Sequence, residues 1–441
     1  MRTERRSVHD LWPLALMRWR SAGAPPAVEV ARPERFEEVA ELLREARRAG
    51  RRVLAMGGAS GVCGALAPEP DDLVLDLSAL DRMEVDEHDL VVRAQAGVNG
   101  LRLERWLNRQ GMTLGHIPAS LPVASLGGLV STRSSGQESS RYGSIEDLVL
   151  GLTVALADGT LVEARVQPRT AVAPPLHLLF VGAEGSLGIV LEAVLRVHRL
   201  PEAVLGRGWR LDTLEAGLEV MRAAMQGGLR PLVLRLYDPE DAALQGLEGW
   251  SLVAAAAGPT ALAEAEAALL AGLAGRVGAE DLGERPWQSW LEHRFDLSAE
   301  RLRDLLAVPG SFLDTVELAA TWSRLPALYR EVKAHLARAG VVLCHFAHAT
   351  GQGCCAYFTM AGSAPDEAAA ERAHGEAWRG AMEIALRHGA TISHHHGVGR
   401  ARAPWVAAEM GGWWEVWRRV RSALDPGRVL NPNGVGGDGL G

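Results

Sequence analysis

The chain has 441 residues, enough for a sizeable core and two domains. Its 48% hydrophobic and 23% charged content is that of a soluble globular protein, and a net charge of −8 excludes nucleic acid as a bulk electrostatic partner. Four cysteines, Cys63, Cys344, Cys354 and Cys355, are too few for a disulfide framework and point to a reducing, cytoplasmic compartment.

Residues 1–24 are basic and aromatic, with Trp12, Leu14, Leu16, Met17 and Trp19. Their apolar stretch is too short for a secretory signal and lacks a small-residue cleavage site. No apolar run in the chain reaches the length of a membrane span. This segment reads two ways: an arm docked on its own protein, or a helix lying on a membrane face.

Residues 25–200 alternate between helix and strand signals. RFEEVAELLREARRAG places Phe36, Val39, Leu42, Leu43 and Ala46 on one helical face, with Gly50 as its stop. RRVLAM, DLVLDLS and DLVVRAQAG read as strands, and LTVALADGTLVEA as a hairpin turning at Asp158-Gly159. From residue 201 the pattern changes. PLVLRLYD, SLVAAAAG, FLDTVELAATW, VVLCHFAHA and CCAYFTMAG read as strands between alanine- and leucine-rich helices, two of them near 260–275 and 366–388. This predicts a second, α+β domain with an antiparallel sheet. WWEVWRRVRSAL closes the pattern as a helix, followed by DPGRVLNPNG.

Three glycine-bearing segments recur in the first half: MGGASGVCG at 56–64, ASLPVASLGGLVSTRSSG at 119–136 and GAEGSLGIV at 182–190. Glycine lets main-chain amides approach a ligand, and consecutive amides form an anion-binding concavity. Three such segments in one domain favour a large phosphorylated cofactor. The chain has no GxxxxGK[ST], and its single lysine, Lys333, lies far from these loops, which argues against a Walker-type site. The Rossmann GxGxxG after the first strand is also missing.

Together these segments resemble the FAD-binding domain of the vanillyl-alcohol-oxidase, or p-cresol-methylhydroxylase-type, flavoproteins. MGGAS stands where that family has GGGTS, and YGSIEDLV and ALDPGRVLNPNG follow in the family's order. Within it, STRSSGQESSRYGSIEDLV, RLYD, CCAYFTMAG and SHHHGVGR are most similar to the alkylglycerone-phosphate synthases. The resemblance implies an α+β fold: a two-part FAD-binding domain at 25–200, a cap with an antiparallel sheet covered by helices at 201–390, and a closing segment at 391–441 that returns to the FAD domain.

It also implies FAD held by Gly57, Gly58, Ala59, Ser60, Gly61 and Gly64 of the first loop. Pro118, Ser120, Leu121, Ser125, Gly127, Gly128, Thr132, Arg133 and Ser135 of the second, and Glu184, Gly185, Gly188 and Ile189 of the third, complete the set. Met56 and Ala59 depart from the family's glycine and threonine; Met56 is expected to narrow the loop. No histidine lies in the first loop, so FAD is expected to be non-covalent. Cys63 reads as a small buried hydrophobe.

The triplet His394, His395 and His396 raises the question of metal or proton transfer. His345 and His348 of CHFAH bring further imidazoles. The related D-2-hydroxyacid dehydrogenases carry Glu-His-Gly where this chain has His395, His396 and Gly397, so an anionic ligand is lost and no metal is expected. Histidine is the default proton shuttle near neutrality. The resemblance implies that the triplet and Tyr357 line the pocket over the flavin, and that Arg235 takes a substrate phosphate, the alternative for Arg235 being an ion pair with Asp238 or another carboxylate.

The implied reaction exchanges the acyl group of acyl-dihydroxyacetone phosphate for a fatty alcohol through a flavin N5 adduct, a step toward ether lipid. Two alternatives stay open: an FAD-linked oxidoreductase of a small 2-hydroxy acid or alcohol, and a non-catalytic flavin-binding subunit. The expected partner is a lipid-phosphate or other small-molecule substrate and no nucleic acid. Contact of the N-terminal arm with a membrane face, and a homodimer, are left open.

Overall fold

The computed structural model describes residues 2–23, 25–167, 169–296 and 304–436. Short apolar runs form a four-stranded sheet in the order Arg2–Ser7, Ala27–Arg32, Leu73–Asp76, Val53–Met56. The first pair is antiparallel and the others parallel. The helix Phe36–Arg48 buries Val39, Ala40, Leu42, Leu43 and Ala46, the expected apolar face. Met56 ends its strand with its side chain in the core beside Val8, Leu54 and Leu66, so it does not narrow the glycine loop that follows.

A five-stranded antiparallel sheet follows, ordered Met83–Asp86, Val91–Gln95, Ile189–Arg196, Val149–Ala155, Leu161–Val162. Its last pair is the expected hairpin, and Gly159 adopts φ +79° at the turn. Far along the chain, Val429 and Leu430 return to this half: the Val53 amide donates to the Val429 carbonyl at 2.7 Å, and Leu430 is fully buried.

The second half is built on seven strands, ordered Glu280–Gly283, Ala203–Leu211, Trp250–Gly258, Val233–Tyr237, Val341–Ala347, Gly353–Ser363, Ser311–Thr321. Every neighbouring pair is antiparallel. Helices Leu214–Gln226, Thr260–Arg276, Leu325–Leu336 and Glu367–Arg387 cover one face, closing a core that includes Leu234, Leu236, Phe346, Phe358, Val316 and Leu318. Side chains alternate across a strand; on the opposite face Val233, Val253, Ala255 and Ala257 pack against Trp287 and Trp290, and the remaining strands carry other residues. The strand Ala203–Leu211 and the helix Gly399–Met410, with Pro404 inside it, carry weak sequence signals.

The N-terminal segment is more than an arm. Its charge-rich stretch Arg2–Ser7 adds an edge strand, the position in a sheet that tolerates charge. Asp10 then meets the glycine loop, with Leu11 N donating to Gly61 O at 2.7 Å and Asp10 N to Leu66 O at 3.2 Å. The helix Pro13–Ala22 docks on the cap, where Arg20 donates to Ser311 O at 3.0 Å and pairs with Glu367, and Arg18 pairs with Glu371. Leu11, Ala15 and Met17 are buried in these contacts. Among the described residues no helix is long and apolar enough to cross a membrane.

The helix-facing core sets cap stability. Phe358 is fully buried and stacks on Tyr329 with ring centroids 6.1 Å apart. Phe358→Ala is expected to cost about 3–5 kcal/mol, read as an earlier urea midpoint for the cap.

Candidate active site

Strand register writes a row of polar side chains across the cap sheet. Tyr237 pairs with His345, His345 with Tyr357, and Tyr357 with Glu317. All four lie on the face away from the covering helices, because Leu236, Phe346, Phe358 and Val316, one residue off in each strand, enter the helix-side core. Arg235 lies two residues before Tyr237 and shares that face. The His345 and Tyr357 rings stack at 4.7 Å with 16° between planes, and Tyr237 flanks His345 at 5.9 Å.

The histidine triplet hangs opposite this row, in a loop that leaves the sheet at Thr391, whose amide donates to Ala319 O at 2.9 Å. Glu317 grips the loop. Its carboxylate accepts from the amides of His395 (3.0 Å) and His396 (2.7 Å) and from the Ser393 hydroxyl (3.3 Å). It also accepts from Arg402 Nη2 at 2.6 Å, and both members of this pair are fully buried. Arg402 spends its other donors on Ile392 O (2.7 Å), Gly397 O (3.0 Å) and Cys63 Sγ (2.6 Å). From the FAD-binding half, Glu184 accepts from the amides of Val398 (2.8 Å) and Gly399 (3.0 Å). The triplet is therefore fixed by groups from four parts of the chain.

The geometry brings Tyr357, His394, His395, His396 and Arg235 together, with His345 and His348. Tyr357 Oη lies 3.2 Å from His396 Nε2, and His394 Nδ1 lies 3.0 Å from His395 Nδ1. The His348 ring is 4.7 Å from His395 and 5.2 Å from His394, and its Nδ1 meets the Ser139 hydroxyl at 2.9 Å across the two halves. Arg235 does not pair with Asp238. Asp238 instead caps the helix Pro239–Leu244 and accepts from Lys333 at 2.6 Å and Tyr329 at 3.1 Å. Arg235 Nη2 donates to His345 Nε2 at 2.6 Å, and His345 Nδ1 meets Asp241 Oδ2 at 2.9 Å.

Electrostatics make this a bank of neutral bases. Burial, then the Arg235 charge, pushes His345 down to about 4 against the pull of Asp241. Burial and neighbouring imidazoles hold His395 well below the usual range, and burial with the His394 and Arg235 charges does the same for His348. Burial lowers His394 and His396 too, although Glu317 opposes it. Tyr357 is pushed up by burial and then by Glu317, so its hydroxyl stays protonated. Burial works against Glu317's charge, but Arg402, His396 and the two loop amides outweigh it and leave the carboxylate ionised. Cys355 Sγ and ring nitrogens of His394 and His395 lie within 4.8 Å of one another, a cluster without a carboxylate.

The glycine segments converge as a cradle. A Cβ on Gly57 would lie 1.9 Å from Ser125 Oγ, and one on Gly58 1.9 Å from the Val123 carbonyl, so the first two segments touch backbone to backbone. Of six non-glycine residues at positive φ among the described residues, four fall here or in the facing site: Ala59, Arg133, Glu184 and His348. Such costly conformations gather at binding sites. A groove that presents main chain rather than side chains suits a dinucleotide pyrophosphate, and these residues fit FAD.

Most side chains of the expected cofactor set hold the cradle itself. The Ser125 hydroxyl caps the Gly128 amide at 3.3 Å, and Thr132 bonds back to Gly128 O at 3.0 Å. Ser135 meets the Ser144 hydroxyl, and Arg133 pairs with Glu146 at 2.8 Å. Leu121 and Ile189 are buried, while Gly127 and Gly188 leave room for Ala96, Val154 and Phe180. Gly61 and Gly64 lie under Asp10 and Trp12 of the N-terminal segment. Pro118 O and Ser120 O close the turn by accepting from the amides of Leu121 (3.0 Å) and Val123 (2.9 Å). Ser60 stays half-buried and Gly185 adopts φ +75°.

Sequence reasoning missed Glu317, Arg402, Asp241 and His116. His116 is fully buried, contacts Ser134 Oγ at 2.7 Å through Nε2, and keeps an unpartnered Nδ1; burial lowers it to about 3. Glu317 had a faint signal, an acid flanked by Val316 and Leu318 in an alternating strand. Glu317→Gln leaves Arg402 buried without its counter-charge and is expected to cost about 3–5 kcal/mol, seen as a lower melting temperature with the flavin still bound.

Comparison with known proteins agrees with this geometry. The family described as "FAD binding domain" matches residues 27–165, and "FAD linked oxidases, C-terminal domain" matches residues 200–435. The chain is 28% identical over 470 residues to an alkyldihydroxyacetonephosphate synthase of Trypanosoma brucei brucei, covering 97% of this chain and 75% of that one. It is 30% identical over 400 residues to an uncharacterised FAD-linked oxidoreductase of Escherichia coli (strain K12), covering 85% and 81%. A solved alkyldihydroxyacetonephosphate synthase superposes with a TM-score of 0.80 at 24% identity, covering 97% of this chain and 80% of that one. The chain belongs to the FAD-linked oxidases and is an FAD-dependent enzyme with the α+β, p-cresol-methylhydroxylase-type fold.

Proposed function

We propose that this enzyme exchanges the acyl chain of an acyl-dihydroxyacetone phosphate for a long-chain alcohol, releasing a fatty acid and forming an ether. One observation carries the reading: a half-buried guanidinium, Arg235, paired with no carboxylate among the described residues, stands beside a bank of neutral imidazoles. A cation kept from its own acids suits a phosphate, which a guanidinium binds through two donors. Neutral imidazoles suit proton removal from the carbon next to a ketone.

FAD, when bound, supplies an electrophilic two-electron sink that no side chain offers. The chain's own residues handle charge and protons. The triplet takes a proton from C1 and later returns one there. The protonated Tyr357 hydroxyl, 3.2 Å from His396, can donate to the departing carboxylate oxygen. The C1–O bond to the acyl group breaks, the C1–O bond to the alcohol forms, and the alcohol's hydroxyl proton leaves with the fatty acid. No net oxidation occurs. The E. coli relative at 30% identity, an FAD-linked oxidoreductase, supports a second reading, net oxidation; a small 2-hydroxy acid would place its carboxylate on Arg235.

The deciding test is anaerobic. Acyl-dihydroxyacetone phosphate with a labelled fatty alcohol is expected to yield labelled ether with the flavin oxidised at the end; lasting bleaching by a D- or L-2-hydroxy acid instead would sink the exchange reading. Because the triplet's histidines all titrate below their ordinary 6.5, a neutral base persists as pH falls. The acid limb of the kcat/KM profile is expected below that value. Gly58→Ala drives a methyl into the Val123 carbonyl, and the purified variant is expected to lack the visible flavin absorption of the wild type.

A further inference from the structure

Arg235 needs an explanation beyond its presence. A guanidinium taken partly out of water is costly unless an anion meets it. Its Nε is buried and unpartnered, and Nη2 alone is spent, on a neutral ring. An acid is nearby: Asp241 is buried in the helix Pro239–Leu244 that follows the Arg235 strand. Asp241 does not touch the guanidinium. Its Oδ2 meets His345 Nδ1 at 2.9 Å.

The order of donors follows without ambiguity. Arg235 can only donate, so His345 Nε2 accepts and carries no proton. The neutral ring then holds its proton on Nδ1 and donates it to Asp241. The ring is clamped between Tyr357, stacked at 4.7 Å, and Tyr237 at 5.9 Å, and Tyr237 also lies 5.3 Å beneath the guanidinium carbon. Ring orientation, tautomer and guanidinium position are thus set by one carboxylate acting through one imidazole.

We propose that Asp241 and His345 are positioning residues that hold Arg235 in place without neutralising it, so that its remaining donors take the oxyanion of the substrate. The proposal rests on the reading of Arg235 as the substrate's anion site. A direct Asp241–Arg235 pair would quench the cation. With no acid, the side chain would be unanchored. The interposed imidazole anchors Arg235 and keeps the carboxylate one ring away.

The test uses the FAD-loaded full chain with inorganic phosphate as probe. Phosphate binding is read from the perturbation of the flavin's visible absorption, and again as competitive inhibition against acyl-dihydroxyacetone phosphate. In Asp241→Asn both constants, and the KM, are expected to weaken about tenfold, with kcat within about threefold. Asp241→Glu restores most of the loss. Unchanged phosphate affinity in Asp241→Asn, where Arg235→Ala abolishes it, overturns the relay. If Asp241→Asn takes up no flavin, His345→Gln carries the test, because it keeps an acceptor for Arg235 but cannot reach Asp241. There too a weakened phosphate constant supports the relay and an unchanged one overturns it. A wild type that binds phosphate but turns over no lipid ends the exchange reading and leaves the relay standing. A wild type that binds no phosphate ends the relay.

Discussion

The buried pair of Glu317 and Arg402 is the constraint on which the site depends. Two charges without solvent exposure are expensive unless every donor and acceptor is used. Here the demand is met by the backbone of the histidine loop, by Cys63 next to the first glycine loop, and by each partner in turn. Satisfying the pair therefore fixes the spacing between a cap strand, the histidine loop and the cofactor cradle. Glu184 repeats the device from the FAD-binding half, spending its carboxylate on the loop's last amides.

Around that anchor, the cap sheet divides labour by parity. One set of alternate residues closes a core against four helices; the other set forms a polar row facing the cofactor half. Burial strips the imidazoles of charge, and the carboxylates present are occupied by main chain, by Arg402 or by His345. Among the described residues, Arg235 is the cation of this row that no carboxylate pairs. The imidazoles and the guanidinium are supplied by one row of strands and meet at His345.

Much of this was legible in the sequence. The period-two runs gave the strands around His345 and Tyr357, and the apolar face of 36–46 gave its helix, because burial pattern is local information. The glycine segments could be read because close backbone approach demands glycine. What could not be read was pairing at a distance. Asp238 lies three residues from Arg235 yet serves Lys333 and Tyr329, while Asp241 reaches Arg235 only through a histidine 104 positions on. Nothing local distinguishes Glu317 from a solvent-facing acid of an alternating strand, and Arg402 sits in a helix whose pattern is blurred by Pro404. Ser125, Thr132 and Ser135 of the cradle turn their hydroxyls to their own scaffold.

The way both ends are tied in has a consequence for biosynthesis. Arg18 and Arg20 leave the ribosome well before their docking partners Glu371 and Glu367, which lie 353 and 347 residues further along the chain. The strand at Val53 likewise waits for Val429. The first-half sheet can collapse on its own residues, but the helix Pro13–Ala22 finds its docking site only once the cap has been made. The segment lying over Gly61 and Gly64 is thus held from both halves, and its final seating waits on the cap.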